Sequence, residues 1–122
     1  MSWDFNDDRP IYLQLMEKIQ LKILCGVYKP GDKLPSVRDI ASEASVNPNT
    51  MQKALTELEK TGLVFSKRTS GRFITEDSNM IKNMKNDLAK EKITDFLKSM
   101  ENIGFTQEET IELVELIVKE MK

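Results

Sequence analysis

Residues 34 to 63, LPSVRDIASEASVNPNTMQKALTELEKTGL, hold two apolar stripes of helical period separated by a short polar join. Val37, Ile40, Ala41 and Ala44 recur three and four residues apart, and Met51, Ala54, Leu55 and Leu58 do so again. Ser36, after Pro35, is placed as an N-cap with Asp39 at the third helical position. Asn47 caps the next helix, Pro48 suits its first position and Gly62 stops it. Two short helices with so brief a join form a helix-turn-helix. Asn49, Thr50, Gln52, Lys53 and Thr56 are left on the outer face, where no core packing requires them.

The flanking segments complete a small domain. A helix is expected from near Pro10, with Ile11, Leu15, Ile19 and Ile23 on one face, widened by Tyr12 and Met16, until Gly26. Asp7 and Asp8 lie by the positive end of its dipole. After the second short helix, LVFSKRTSGRFIT predicts strands at 63 to 67 and 72 to 75 around a turn at Thr69, Ser70 and Gly71. A hairpin in that place is a wing. Its tip carries Lys67, Arg68 and Arg72 with no acid among residues 67 to 72.

Composition excludes more than it selects. With 122 residues, 39% of them hydrophobic, the chain suits one small domain and an appendage. There is no histidine, hence no commonest general base or metal ligand, and no Cys/His cluster or Gly-rich phosphate loop; neither enzyme chemistry, a metal nor a cofactor is expected. The single cysteine, Cys25, cannot close an internal disulfide and reads as a small apolar residue near a helix end, with a redox sensor as the alternative. The opening MSWDFNDDRP has no basic and apolar leader pattern, and no run reaches the roughly 18 apolar residues of a membrane span, so a cytoplasmic protein without a membrane partner is expected. The net charge of -2 hides an asymmetry: residues 1 to 75 carry 11 Lys and Arg against 9 Asp and Glu, residues 76 to 122 carry 7 against 11. A weakly basic body can hold a nucleic acid where its cations are concentrated.

From Pro10 to Thr75, the segments PIYLQL, YKPGDKLPSVRDIA, SVNPNTMQKALTELEKTGLV and SGRFI resemble the winged helix-turn-helix domain of the GntR family of bacterial transcription regulators. The VNPNT start of the third helix and the short helical tail are similar to its YtrA-like subfamily. The resemblance implies that Arg38 lies against DNA, that Asn47, Asn49, Thr50 and Gln52 read bases, and that the wing from Arg68 to Arg72 enters the adjacent minor groove. Many relatives have arginine where this chain has Pro48 and Gln52, so their guanine contacts do not carry over.

The residues support the same site on chemical grounds. Asn and Gln amides match adenine N6 and N7, and Thr offers a hydroxyl and a methyl. The expected DNA-contacting set is Ser36, Arg38, Asn47, Pro48, Asn49, Thr50, Gln52, Lys53, Lys67, Arg68, Ser70, Gly71 and Arg72. Each has a plainer alternative: capping alone for Asn47, an ion pair with Asp39 or Glu43 for Arg38, solubility for the hairpin cations. Capping does not account for Asn49 and Gln52.

Residues 76 to 122 are expected to form a helical hairpin. Met80, Ile81, Met84 and Leu88 make one stripe; Ile93, Phe96, Leu97, Met100 and Ile103 make a second, ending at Gly104. Thr106 and Glu109 form a capping box before a helix whose apolar face is Ile111, Val114, Ile117, Val118 and Met121. Two such helices are too few to bury both stripes. Packing against a second copy, as YtrA-like relatives are implied to do, is the expected use of Ile93, Phe96, Leu97, Met100, Ile111, Val114, Ile117, Val118 and Met121; folding back on the winged domain is the alternative. The expected protein is thus mainly α with a small β-hairpin: a winged helix-turn-helix domain at 1 to 75 and a two-helix dimerisation tail at 76 to 122. Its expected function is that of a homodimeric repressor binding double-stranded operator DNA at an inverted repeat, the alternative being a winged-helix module for protein contacts. No effector ligand can be named from these residues.

Overall fold

The computed structural model describes residues 3 to 122; Met1 and Ser2, with which the expected winged domain begins, lie outside them. The elements run α1 (Ile11–Leu24), α2 (Val37–Ala44), α3 (Pro48–Thr61), β1 (Val64–Lys67), β2 (Gly71–Ile74), α4 (Ser78–Asn102) and α5 (Gln107–Met121). The chain divides into two compact units, the first ending at Met84 and the second spanning Lys85–Lys122.

Caps set the helix starts of the first unit. The Ser36 hydroxyl accepts from the Asp39 N–H at 3.1 Å, and the Asn47 side-chain oxygen accepts from the Asn49 N–H at 2.7 Å, each satisfying a donor that the first helical turn leaves free. Pro48 stands at the start of α3, and Gly62 ends it with φ +87°. Pro10 differs from expectation: with φ -52° and ψ 140° it is the extended residue preceding α1 rather than its first helical residue. The chain's entry is fixed instead by Gln14, which accepts from the Asn6 N–H and donates to the Asn6 and Arg9 carbonyls at 2.8 to 2.9 Å.

The apolar stripes converge on one core. Leu15 and Ile19 of α1, Ile40 of α2, and Met51, Leu55 and Leu58 of α3 are buried together with Leu63, Val64 and Ile74. The strands pair antiparallel, Val64 opposite Ile74, Phe65 opposite Phe73 and Lys67 opposite Gly71, which places Val64 and Ile74 on the core. Sequence reading missed a third partner. Residues 32 to 34 line the outer edge of β2: Lys33 bridges Phe73, the Leu34 N–H donates to the Arg72 carbonyl at 2.9 Å and the Asp32 carbonyl accepts from Ile74 at 2.8 Å. The Pro and Gly of YKPGD disguise this edge as loop.

The first unit also extends beyond residue 75. Met80, Ile81 and Met84 pack against the core, so the first turns of α4 cover the winged domain; Leu88, the fourth residue of that expected stripe, lies half-buried in the second unit. In the second unit Gly104, at φ +98°, ends α4, and Thr106 with Glu109 forms the expected capping box at α5. Leu97, Met100 and Leu113 are half-buried there, and Thr110 is buried with its hydroxyl donating to the Thr106 carbonyl at 2.9 Å. Ile111, Val114, Ile117, Val118 and Met121 are exposed, as are Ile93 and Phe96.

Candidate nucleic-acid interface

The outer face of the helix-turn-helix is polar because its inner face is fully used. With Met51, Ala54, Leu55 and Leu58 buried, the helical period turns Asn49, Gln52, Lys53 and Thr56 outward, and Thr50 lies half-buried beside them. Asn47 spends its oxygen on the cap, which leaves its amide N–H groups; Pro48 and Asn49 are exposed next to it. Among the described residues Gln52 makes only a long contact to Thr56, 3.4 Å, so its amide is available to a ligand. Lys53 lies with its ammonium 3.9 Å from the centroid of the Tyr12 ring, which steadies the chain while keeping its charge at the surface.

Arg38 is exposed on the first turn of α2 and makes no ion pair among the described residues. The pairing with Glu43 considered from sequence is not formed. Glu43 instead accepts from the Trp3 indole N–H at 3.2 Å and meets Lys22 at 3.5 Å, while the Lys22 ammonium sits 4.1 Å from the Trp3 ring centroid.

The wing divides its cations. A turn in which the Ser70 N–H donates to the Lys67 carbonyl at 3.1 Å, with Thr69 at φ +69°, leaves Arg68 and Ser70 at the exposed tip. Phe65 and Phe73 stack across the strands at 6.0 Å, and Lys67 lies over Phe73 at 4.6 Å. Arg72 is different. Its Nε donates to Glu59 of α3 at 2.7 Å, its side chain is 18% exposed, and the same carboxylate accepts from the Ser66 hydroxyl. Partial burial works to raise the Glu59 carboxyl, but the hydrogen bonds from Ser66 and Arg72 and the Arg72 charge outweigh it and hold the group below the ordinary carboxylate range. Glu59 thus ties both wing strands to the third helix. Sequence reading missed it, since a Glu in LTELEK looks like any solvated helix charge.

Between the wing and the starts of α2 and α3 lies a cleft of about 950 Å³. It brings together Ser36, Gln52, Lys67, Ser70, Gly71 and Arg72 of the sequence-derived set; Arg38, Asn47, Pro48, Asn49, Thr50, Lys53 and Arg68 lie outside its walls. Amides that can read base edges, flanked by cations that can neutralise phosphates, make a surface suited to duplex DNA.

Three helices, a two-stranded wing and this polar face define a winged helix-turn-helix protein. Residues 11–74 match the bacterial regulatory proteins of the gntR family, and the chain belongs to that family. It is 39% identical over 112 residues to the uncharacterized HTH-type transcriptional regulator YhcF of Bacillus subtilis, covering 92% of this chain and 93% of that protein. A GntR family transcriptional regulator from Listeria monocytogenes superposes with a TM-score of 0.84 at 40% identity, over 91% of this chain and 97% of that one. The DNA-binding domain of AraR, solved in complex with operator ORX1, superposes with a TM-score of 0.55 at 27% identity, over 59% of this chain and 93% of that chain. No helix among the described residues is long and apolar enough to cross a membrane.

Proposed function

We propose that this protein is a sequence-specific DNA-binding transcription regulator, cytoplasmic and not an enzyme, that binds an inverted-repeat operator as a homodimer and represses by occupying a promoter. The observation that carries this reading is the pair of exposed amides, Asn49 and Gln52, on a third helix whose other face is the core, flanked by the wing cations and by Arg38, which makes no ion pair among the described residues. AraR's domain, similar in fold, is bound to an operator, which supports the same use of this face. The exposed stripes of the second unit support the dimer: Ile111, Val114, Ile117, Val118 and Met121 are 41 to 81% exposed on one helix, a surface suited to a second copy. Two such domains would set their third helices in major grooves about one helical turn, ~34 Å, apart.

The test is titration of the chain's own promoter fragment against a scrambled duplex of equal length. Tighter binding to the promoter, with two protected half-sites in a footprint, is expected. Asn49→Ala and Gln52→Ala should each weaken the promoter complex by ~1 to 3 kcal/mol and leave scrambled-duplex binding nearly unchanged. Equal losses on both duplexes would assign these amides to backbone positioning. Absence of salt-dependent binding to either would favour the protein-contact alternative.

A further inference from the structure

We propose that Lys33, on the edge strand beside the wing, is a phosphate-contacting residue of the DNA interface; this rests on the DNA-binding reading above. Its backbone is held in place: Lys33 bridges Phe73, and the flanking Asp32 carbonyl and Leu34 N–H are bonded to Ile74 and Arg72. Its side chain runs along the wing past Gly71. A Cβ on Gly71 would stand 3.1 Å from the Lys33 Cε and 3.9 Å from its Nζ, so the glycine, already at φ +107°, leaves the lane that the lysine occupies. That route takes the ammonium to the cleft that Lys33 lines together with Ser36, Lys67 and Ser70.

Charge accounting points the same way. Arg72, whose charge belongs to the wing in the sequence, is neutralised by Glu59 and is 18% exposed. Lys33 is exposed and makes no ion pair among the described residues; Asp39 is the carboxylate that lines the cleft with it. The cleft's exposed positive charge is therefore carried by Lys33 and Lys67. An ammonium on a flexible stem is a point charge with three donors, suited to a phosphate oxygen rather than to planar bidentate base reading.

The experiment uses the full chain and a fluorescein-labelled duplex of mixed sequence, with anisotropy titrations between about 50 and 200 mM salt. Lys33→Gln should flatten the slope of log K against log salt by about 0.9 per protomer, and Lys33→Arg should restore it. Because the side chain is exposed, both variants should melt as the wild type does. A wild-type slope in Lys33→Gln overturns the assignment of Lys33 alone, as does a loss that Lys33→Arg fails to recover. A wild-type protein whose duplex binding ignores salt overturns the DNA reading, and this inference with it.

Discussion

The stripe on α3 and the stripe on α5 are alike in sequence and opposite in fate. Met51, Ala54, Leu55 and Leu58 recur at helical spacing and are 0 to 1% exposed; Ile111, Val114, Ile117 and Val118 recur in the same way and are 41 to 54% exposed. The difference lies in what surrounds each helix. α3 meets α1 and α2 on its flanks and β1 at its end, so its apolar face is enclosed. α5 shares its unit only with the later part of α4, and the two helices do not pack extensively on one another, so that Leu97, Met100 and Leu113 are no more than half-buried and Thr110 alone is buried. Apolar periodicity fixes which face a helix hides; the number of neighbouring elements decides whether the chain hides it alone.

Single truncations sharpen this contrast most. Leu55→Ala removes a side chain that is 1% exposed at the centre of the first unit and should cost ~2 to 5 kcal/mol, lowering the urea midpoint at every protein concentration by a similar amount. Ile117→Ala, at 50% exposure, should have a smaller effect that depends on protein concentration, because mass action links a shared interface to the unfolding equilibrium. Concentration-independent midpoints for wild type and Ile117→Ala would mean that the α5 face is not shared.

Charges placed in the same stripe test the link to DNA. Val114→Asp with Ile117→Asp puts two unpaired carboxylates on the proposed seam and should give monomers with an intact winged unit. Losing the second half-site should then reduce operator affinity by ~10² to 10⁴, since the intramolecular second encounter is gone. Sedimentation at micromolar protein with parallel operator titration measures both. A variant that stays dimeric places the interface elsewhere. A truncation for the same purpose belongs after Met84, because Met80, Ile81 and Met84 are part of the first unit's cover.

The contrast also marks what is legible in the residues. Local chemistry is: Ser36, Asn47, Gly62 and Thr106 cap or stop helices at the positions their types predict, and the third helix exposes the polar face its period requires. Non-local pairing is not. Nothing in GDKLP distinguishes a loop from an edge strand, because its partner Phe73 is forty residues away in sequence. The wing cations show the same limit. Lys67, Arg68 and Arg72 are equivalent in the run KRTSGR, and only the fold brings Glu59 from another element to Arg72. Glu59 shows the general reason: a single charged residue reveals no role until its spatial neighbours are known.

The smallest expected effect concerns that Glu59 brace, which joins the enclosed helix to the exposed wing. The folded state holds the Glu59 carboxyl below its ordinary value of 4.5, so unfolding releases a group that binds protons more readily. The contribution is therefore complete above the unfolded value and is lost as pH falls through the lower folded one. Glu59→Gln keeps an acceptor for Ser66 but removes the charge opposite Arg72, which should cost about 0.5 to 1.5 kcal/mol near neutral pH for so peripheral a pair. As pH falls below 4.5 the deficit should shrink, because the stability that the lowered carboxyl contributes is then being lost. Glu17, also held low, by its hydrogen bond from Arg9 and despite partial burial, is present in both proteins and cancels in the difference. Thermal melts of both proteins from pH 3 to 7 read that difference directly. A deficit that stays constant with pH would show that the Glu59 carboxylate ties the wing to α3 through packing and hydrogen bonding but not through charge pairing.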